Sequence, residues 1–168
     1  MREISVIMIS FSAALFACGI SLKMKKRVLL LEKITLFIAA VKTRIGFTAE
    51  NVSDVIFSLG KSESFLSLGF PEYTFRLISQ GESVQSAWKK GVEKSLSKKL
   101  KNEDISLLVS FGDGLGTTDV SGQLLNCGMY IELFSQKTQQ ARKNCEKYSL
   151  PVRTAGILFA AALYIIFM

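Results

Sequence analysis

The sequence predicts an all-α protein: a membrane-anchored helical bundle with a long antiparallel helical hairpin and a transmembrane helix at each terminus. Three observations predict it. Apolar residues make up 49% of the 168 residues, and the uncharged apolar runs lie at the two ends of the chain. Between them, apolar positions recur at spacings of three and four, and no segment alternates as a strand between hairpin turns. Proline occurs only at Pro71 and Pro151.

Ile4 to Leu22 carries no charge. As a helix it spans roughly 28 Å, close to the ~30 Å hydrocarbon core of a bilayer, and residues 1–23 are read as the first membrane segment. A removable leader fits less well, because Arg2 sits beside Glu3, the apolar core exceeds the usual ~7–15 residues, and KMKKR follows as a stop. LFACG (Leu15–Gly19) resembles a lipoprotein cleavage box with a poorly fitting Phe16.

Residues 24–150 read as a helical cytoplasmic domain. Leu31, Ile34, Ile38, Val41 and Ile45 mark one amphipathic helix that ends near Gly46. Asn51 or Ser53 caps a short helix through Leu59 and Gly60, with Val52, Val55, Ile56 and Leu59 on its buried side. A linker around Lys61–Ser64 leads to a helix opening at Pro71 and closed by Gly81. The next helix runs from about Glu82 to Leu96, with Trp88 as its core anchor. Ile105 to Phe111 form another, capped by Asp104.

Val120, Leu124, Cys127, Ile131, Phe134, Thr138, Ala141, Cys145 and Tyr148 then alternate steps of four and three, a heptad seam that requires a partner helix. The Leu31–Ile45 helix supplies one if the two run antiparallel; pairing between chains satisfies the same pattern. Residues 151–168 follow as a shorter membrane segment. Its uncharged part, Thr154 to Met168, spans about 22 Å, and a snorkelling Arg153 extends it. A hydrophobic helix within a soluble core is the competing reading.

Charge sets the orientation. Lys23, Lys25, Lys26, Arg27 and Lys33 follow the first apolar run, while Arg142, Lys143, Lys147 and Arg153 precede the second. Such clusters stay in the cytoplasm, which places the middle of the chain there and both termini outside. The net charge of +7 is explained by topology without a nucleic-acid partner. Histidine is absent, which removes Ser-His-Asp and Cys-His catalysis and nearly all histidine-ligated zinc sites. Cys18, Cys127 and Cys145 form no CxxC pair and read as reduced packing residues.

FGDGLGTTDVSGQ (Phe111–Gln123) poses the choice between a phosphate cradle and a bend. No P-loop lysine completes it, no strand precedes it, and Asp113 and Asp119 repel phosphate. A helix-to-helix corner is expected, with Gly112, Gly114 or Gly116 left-handed and Thr117, Thr118 or Asp119 capping the helix that follows. Two carboxylates are too few for a metal. No cofactor and no enzymatic activity are expected.

These pieces together resemble the stage III sporulation protein AB family of endospore-forming bacteria, over nearly the whole length. Gly112, Leu115, Gly116, Asp119 and Gln123 match the family's LGxxLGxxDxxxQ pattern, with Phe111 in place of the first leucine. Gly81 followed by Ala87 and Trp88 is similar to its G...AW element, whereas Arg44 stands where many relatives are acidic. The resemblance implies a non-catalytic platform component of a sporulation complex joining mother cell and forespore, similar to the platform proteins of type II secretion and type IV pilus machines. It also implies a SpoIIIAA-like, secretion-type ATPase as partner, with other membrane components of the complex. The location it implies is the mother-cell side of the outer forespore membrane.

Two candidate surfaces follow. The corner residues Gly112, Asp113, Leu115, Gly116, Thr117, Asp119 and Gln123 are candidates for partner docking, or serve only to cap and turn. Lys89, Lys90, Lys94, Lys98, Lys99 and Lys101, opposed in their run by Glu93 alone, form a basic surface suited to an acidic partner or anionic membrane lipid, or else a solvated face. Nucleic acid is disfavoured because no aromatics interleave with these lysines. A homo-oligomer is compatible with the heptad seam.

Overall fold

The computed structural model describes the backbone of residues 2–48 and 51–167, and the side chains of residues 19–47, 51–148, 154 and 158. Among the described residues six helices follow one another: α1 (Arg2–Thr48), α2 (Val52–Gly60), α3 (Phe70–Ser79), α4 (Val84–Leu96), α5 (Asn102–Asp113) and α6 (Val120–Phe167), with a 3-10 turn at Leu66–Leu68. Among the described residues there is no strand. The all-α expectation holds. Both expected membrane segments, 4–22 and 154–168, fall outside the residues whose side chains are described, apart from 19–22, Thr154 and Leu158. Among the described residues no helix is long and apolar enough to cross a membrane.

The chain divides into two compact units, one formed by Met1–Val28 with Gln139–Met168 and the other by Leu29–Thr138. In the first, the described residues bury Ser21, Val28, Ala141 and Cys145, while Lys23, Lys25, Lys26, Lys143 and Lys147 are exposed.

The second unit holds the core. Rings in edge-to-face contact run through it from the 3-10 turn to α6: Phe65 to Phe37 at 5.3 Å, Phe37 to Phe70 at 5.5 Å, Phe70 to Trp88 at 5.0 Å, Trp88 to Phe111 at 5.6 Å, and Phe111 to Tyr130 at 5.3 Å between centroids. This geometry sets the positive ring edges against neighbouring faces and ties the turn and five helices together. Trp88 is fully buried, as expected of an anchor, and its indole Nε1–H donates to the Leu108 carbonyl at 2.7 Å. That bond removes the cost of burying the one polar atom of the ring. Phe37, absent from the expected seam, is also fully buried, because α1 packs against the turn and α3 as well as against α6.

Gly46 does not end α1. The helix continues to Thr48, and Gly46 faces Leu124, whose Cδ2 lies 3.5 Å from the site of a Cβ at Gly46. Lys42 Nζ lies 3.4 Å from the corresponding site at Gly128. As the α1 number falls by four the α6 number rises by four, so the helices pair antiparallel within this unit.

The pairing corrects the expected seam. Leu124, Ile131 and Thr138 are only half-buried and Val120 is exposed. Cys127, Phe134, Ala141 and Cys145 of that seam are buried as expected, while Gln123 and Tyr130 are buried in place of Leu124 and Ile131. A heptad seam describes burial against one helix. Here α6 is also covered by α5, through Phe111 against Tyr130, and the covered stripe turns toward that side.

Local capping departs from expectation in three places. Ser83, rather than Glu82, starts α4, its hydroxyl accepting from the Ser86 N–H at 3.3 Å. Asp104 lies three residues into α5 and accepts from the Lys101 N–H at 3.3 Å, a reach-back across the first turn. Asn51 precedes α2 without a side-chain cap, and Val52 is half-buried while Val55, Ile56 and Leu59 are buried.

Candidate functional site

The corner between α5 and α6 is assembled from the residues singled out in the sequence, each for a separable reason. Gly112 is still helical and faces Trp88; a Cβ there would clash with the indole Cδ1, Cγ and Nε1. Leu115 is buried, and its carbonyl accepts from Gln85 Nε2 at 3.0 Å, which ties the corner to the start of α4. Gly116 is the left-handed residue, at φ 73°, a conformation that costs an L side chain about 1–2 kcal/mol. Among the three threonine and aspartate candidates Asp119 is the cap: its Oδ1 accepts from the Gly122 N–H at 3.0 Å.

Gln123 is the pin. Its Nε2 donates to the Gly114 carbonyl at 2.8 Å and to the Thr118 hydroxyl at 2.9 Å, and only 3% of the residue is exposed. Thr117 donates to the same Gly114 carbonyl at 3.0 Å. The turn therefore has a fixed shape, and its candidates separate into two groups. Gly112, Leu115 and Gln123 face inward, whereas Asp113, Gly116, Thr117 and Asp119 are exposed. Asp113 and Asp119 place two carboxylates on that surface. Asp113 also acts on Tyr130, whose phenol is raised above its ordinary value first by burial and then by this charge.

The six lysines of the basic run are all exposed, but they are not equivalent. Lys90 binds both carboxylate oxygens of Glu82 at 2.7 and 2.8 Å. That hydrogen bond, with one from Ser86, holds the Glu82 carboxyl below its ordinary value. Lys94 lies over the Tyr73 ring, 4.3 Å from its centroid, with Arg76 at 4.7 Å. The hydrogen bond from Lys94 is the main cause lowering the Tyr73 phenol from its usual value. For Lys89, Lys98 and Lys99 no ion pair is formed among the described residues.

A third feature went unnoticed in the sequence. Phe57, Gly69, Glu72, Tyr73, Phe75, Arg76 and Ser79 line a shallow depression of about 420 Å³. Phe57 stacks on Phe75 at 3.6 Å, and Lys61 caps the Phe57 ring at 4.0 Å. The signal was available as Phe57 and Lys61 one helical turn apart at the end of α2 and Tyr73 and Arg76 one turn apart in α3, but partners on two helices are paired only by the fold. Among the described residues no group of three His, Cys, Asp or Glu side chains could hold a metal ion.

The family model of stage III sporulation protein AB matches residues 2–168. A solved structure of "Stage III sporulation protein AB (SpoIIIAB)" superposes with a TM-score of 0.62 at 14% identity, over 72% of this chain and 97% of the other. That identity makes the likeness one of fold. No curated protein matches the sequence.

Proposed function

Because the chain belongs to the stage III sporulation protein AB family, we propose that it is a non-catalytic platform component of a sporulation trans-envelope, secretion-like complex that docks a cytoplasmic secretion-type ATPase. The uncharged runs Ile4–Leu22 and Thr154–Met168, each flanked by a basic cluster, support anchorage at both ends with the middle of the chain in the cytoplasm. Residues 1–23 and 151–168 are then the anchors and 24–150 the working domain.

The observation that carries docking is the pinned corner. A docking surface gains affinity when its shape is set before the partner arrives. Here Gln123, Thr117 and the Asp119 cap fix a turn that leaves two carboxylates outward. The test is binding of the cognate ATPase to the full chain in lipid nanodiscs. Wild type binds, and Asp113→Lys combined with Asp119→Asn, which changes charge while keeping a capping side chain, weakens binding at least tenfold. Equal affinity of wild type and variant contradicts the assignment.

The exposure of Lys89, Lys98 and Lys99, which form no ion pair among the described residues, favours a second reading, in which this surface rests on anionic lipid headgroups. Flotation with phosphatidylserine vesicles separates the two, since lipid binding collapses as salt rises and vanishes in a Lys89→Glu, Lys98→Glu, Lys99→Glu variant.

A further inference from the structure

The α1–α6 pair within the Leu29–Thr138 unit has two sides, and one of them is bare. The contact line passes through Gly46 and Lys42 on α1 and through Leu124 and Gly128 on α6. One residue turns an α-helix by about 100°. In an antiparallel pair, the same step along both chains turns both helices toward the same side. One residue back from the contact line lie Ile45, Val41, Gln123 and Cys127, all buried, and the helical repeat continues that side through Ile38, Ile34, Tyr130 and Phe134.

One residue forward, the same repeat gives Phe47, Leu36 and Leu29 on α1 and Leu125 and Met129 on α6. These are 86%, 62%, 57%, 77% and 52% exposed. Five large apolar side chains on one side of a two-helix layer offer on the order of 600 Å² of apolar surface, more than a scattered surface residue explains and near the ~800 Å² per partner of a standard interface. Charge is balanced there. Glu32 and Glu132 are the acidic side chains on this side, Glu132 accepting from Gln136, and Lys33 and Arg44 lie at its edge, Lys33 donating to the Ser67 hydroxyl at 2.7 Å.

From this we infer that the Leu29–Leu36–Phe47–Leu125–Met129 face is the surface on which a second copy of the chain packs. The charge balance selects that occupant. Two copies carrying +7 each repel wherever Lys89–Lys101 would meet itself, whereas this face brings apolar groups together with two acidic and two basic side chains per copy. A strongly acidic partner gains nothing here that the lysine run does not offer. A two-fold axis parallel to the helices sets α1 of one copy against α6 of the other, so that each Phe47 approaches the other copy's Leu125 and both copies bury the same residues.

Sedimentation equilibrium of the full chain, in density-matched detergent, tests the inference across 1 to 100 μM protein. The wild type is expected at the dimer mass, Leu125→Glu with Met129→Glu at the monomer mass with unchanged helix content, and Lys98→Glu with Lys99→Glu still at the dimer mass. Leu36→Glu, on the other helix, serves as the second variant should the first lose its fold, and it is also expected at the monomer mass. A wild type that stays monomeric throughout, or folded face variants that dimerise as well as wild type, overturns the inference. Neither result depends on ATPase binding.

Discussion

Gly112 on α5 lies directly against the indole of Trp88 on α4, so close that a single methyl group at Gly112 would clash with its Cδ1 and Cγ. The ring cannot retreat: Phe70 and Phe111 pack on it at 5.0 and 5.6 Å, and its Nε1–H is held by the Leu108 carbonyl. Gly112→Ala is therefore expected to destabilise the fold by about 2–3 kcal/mol through overpacking. Gly116→Ala, with open space around it but φ 73°, should cost about 1 kcal/mol through backbone strain alone. Urea unfolding of the two variants gives the ranking.

Replacing Gln123 with Ala removes both Nε2 bonds and leaves the Gly114 carbonyl to Thr117 alone. A loss of about 2 kcal/mol is expected for a buried, bonded amide. Hydrogen exchange should localise the change: amides of Gly116–Gln123 exchange faster while those of α3 keep their protection. Uniform loss of protection across the unit would show that the pin is not local.

Asp119→Ala should cost about 1 kcal/mol and Asp119→Asn much less, because asparagine accepts the same Gly122 N–H. Thermal midpoints at matched protein concentration check the difference. An asparagine variant as unstable as the alanine one would mean that charge, rather than the cap, is what Asp119 supplies.

Burial pushes the Cys127 thiol up to about 11 from an ordinary 9.0, with the Lys42 charge opposing weakly. The raised value favours the neutral thiol in the fold, so its contribution to stability is complete below pH 9 and is lost as pH rises toward 11. At pH 8 Cys127 should react with a maleimide at least tenfold more slowly in the folded chain than in urea. Equal rates would contradict the buried position that the α1–α6 pairing gives it.

The helices were legible in the sequence because caps, prolines and apolar spacing are local signals. Pro71, Gly81 and Leu96 marked boundaries within a residue or two of those observed. The corner was legible as a bend because no lysine accompanies its glycines. Which glycine turns, which presses on Trp88 and which oxygen caps α6 were left open, since those choices depend on α4 and on Gln123 folding back. The α6 seam was legible at Cys127 and Phe134, but Gln123 and Tyr130 are buried in place of Leu124 and Ile131, because a heptad counts a single partner helix and Tyr130 has a second neighbour in Phe111. The Phe57–Phe75 stack was invisible for the same reason: its two rings belong to different helices.

Sporulation frequency measured beside thermal stability tests the central claim most directly: the inward corner residues build the fold, and the outward carboxylates act on a partner. Asp113→Lys with Asp119→Asn should keep the wild-type thermal midpoint within about 2 °C, the shift that roughly 0.5–1 kcal/mol produces in a chain of this size, while heat-resistant spore counts fall at least tenfold. Wild-type spore counts from that stable variant would contradict it.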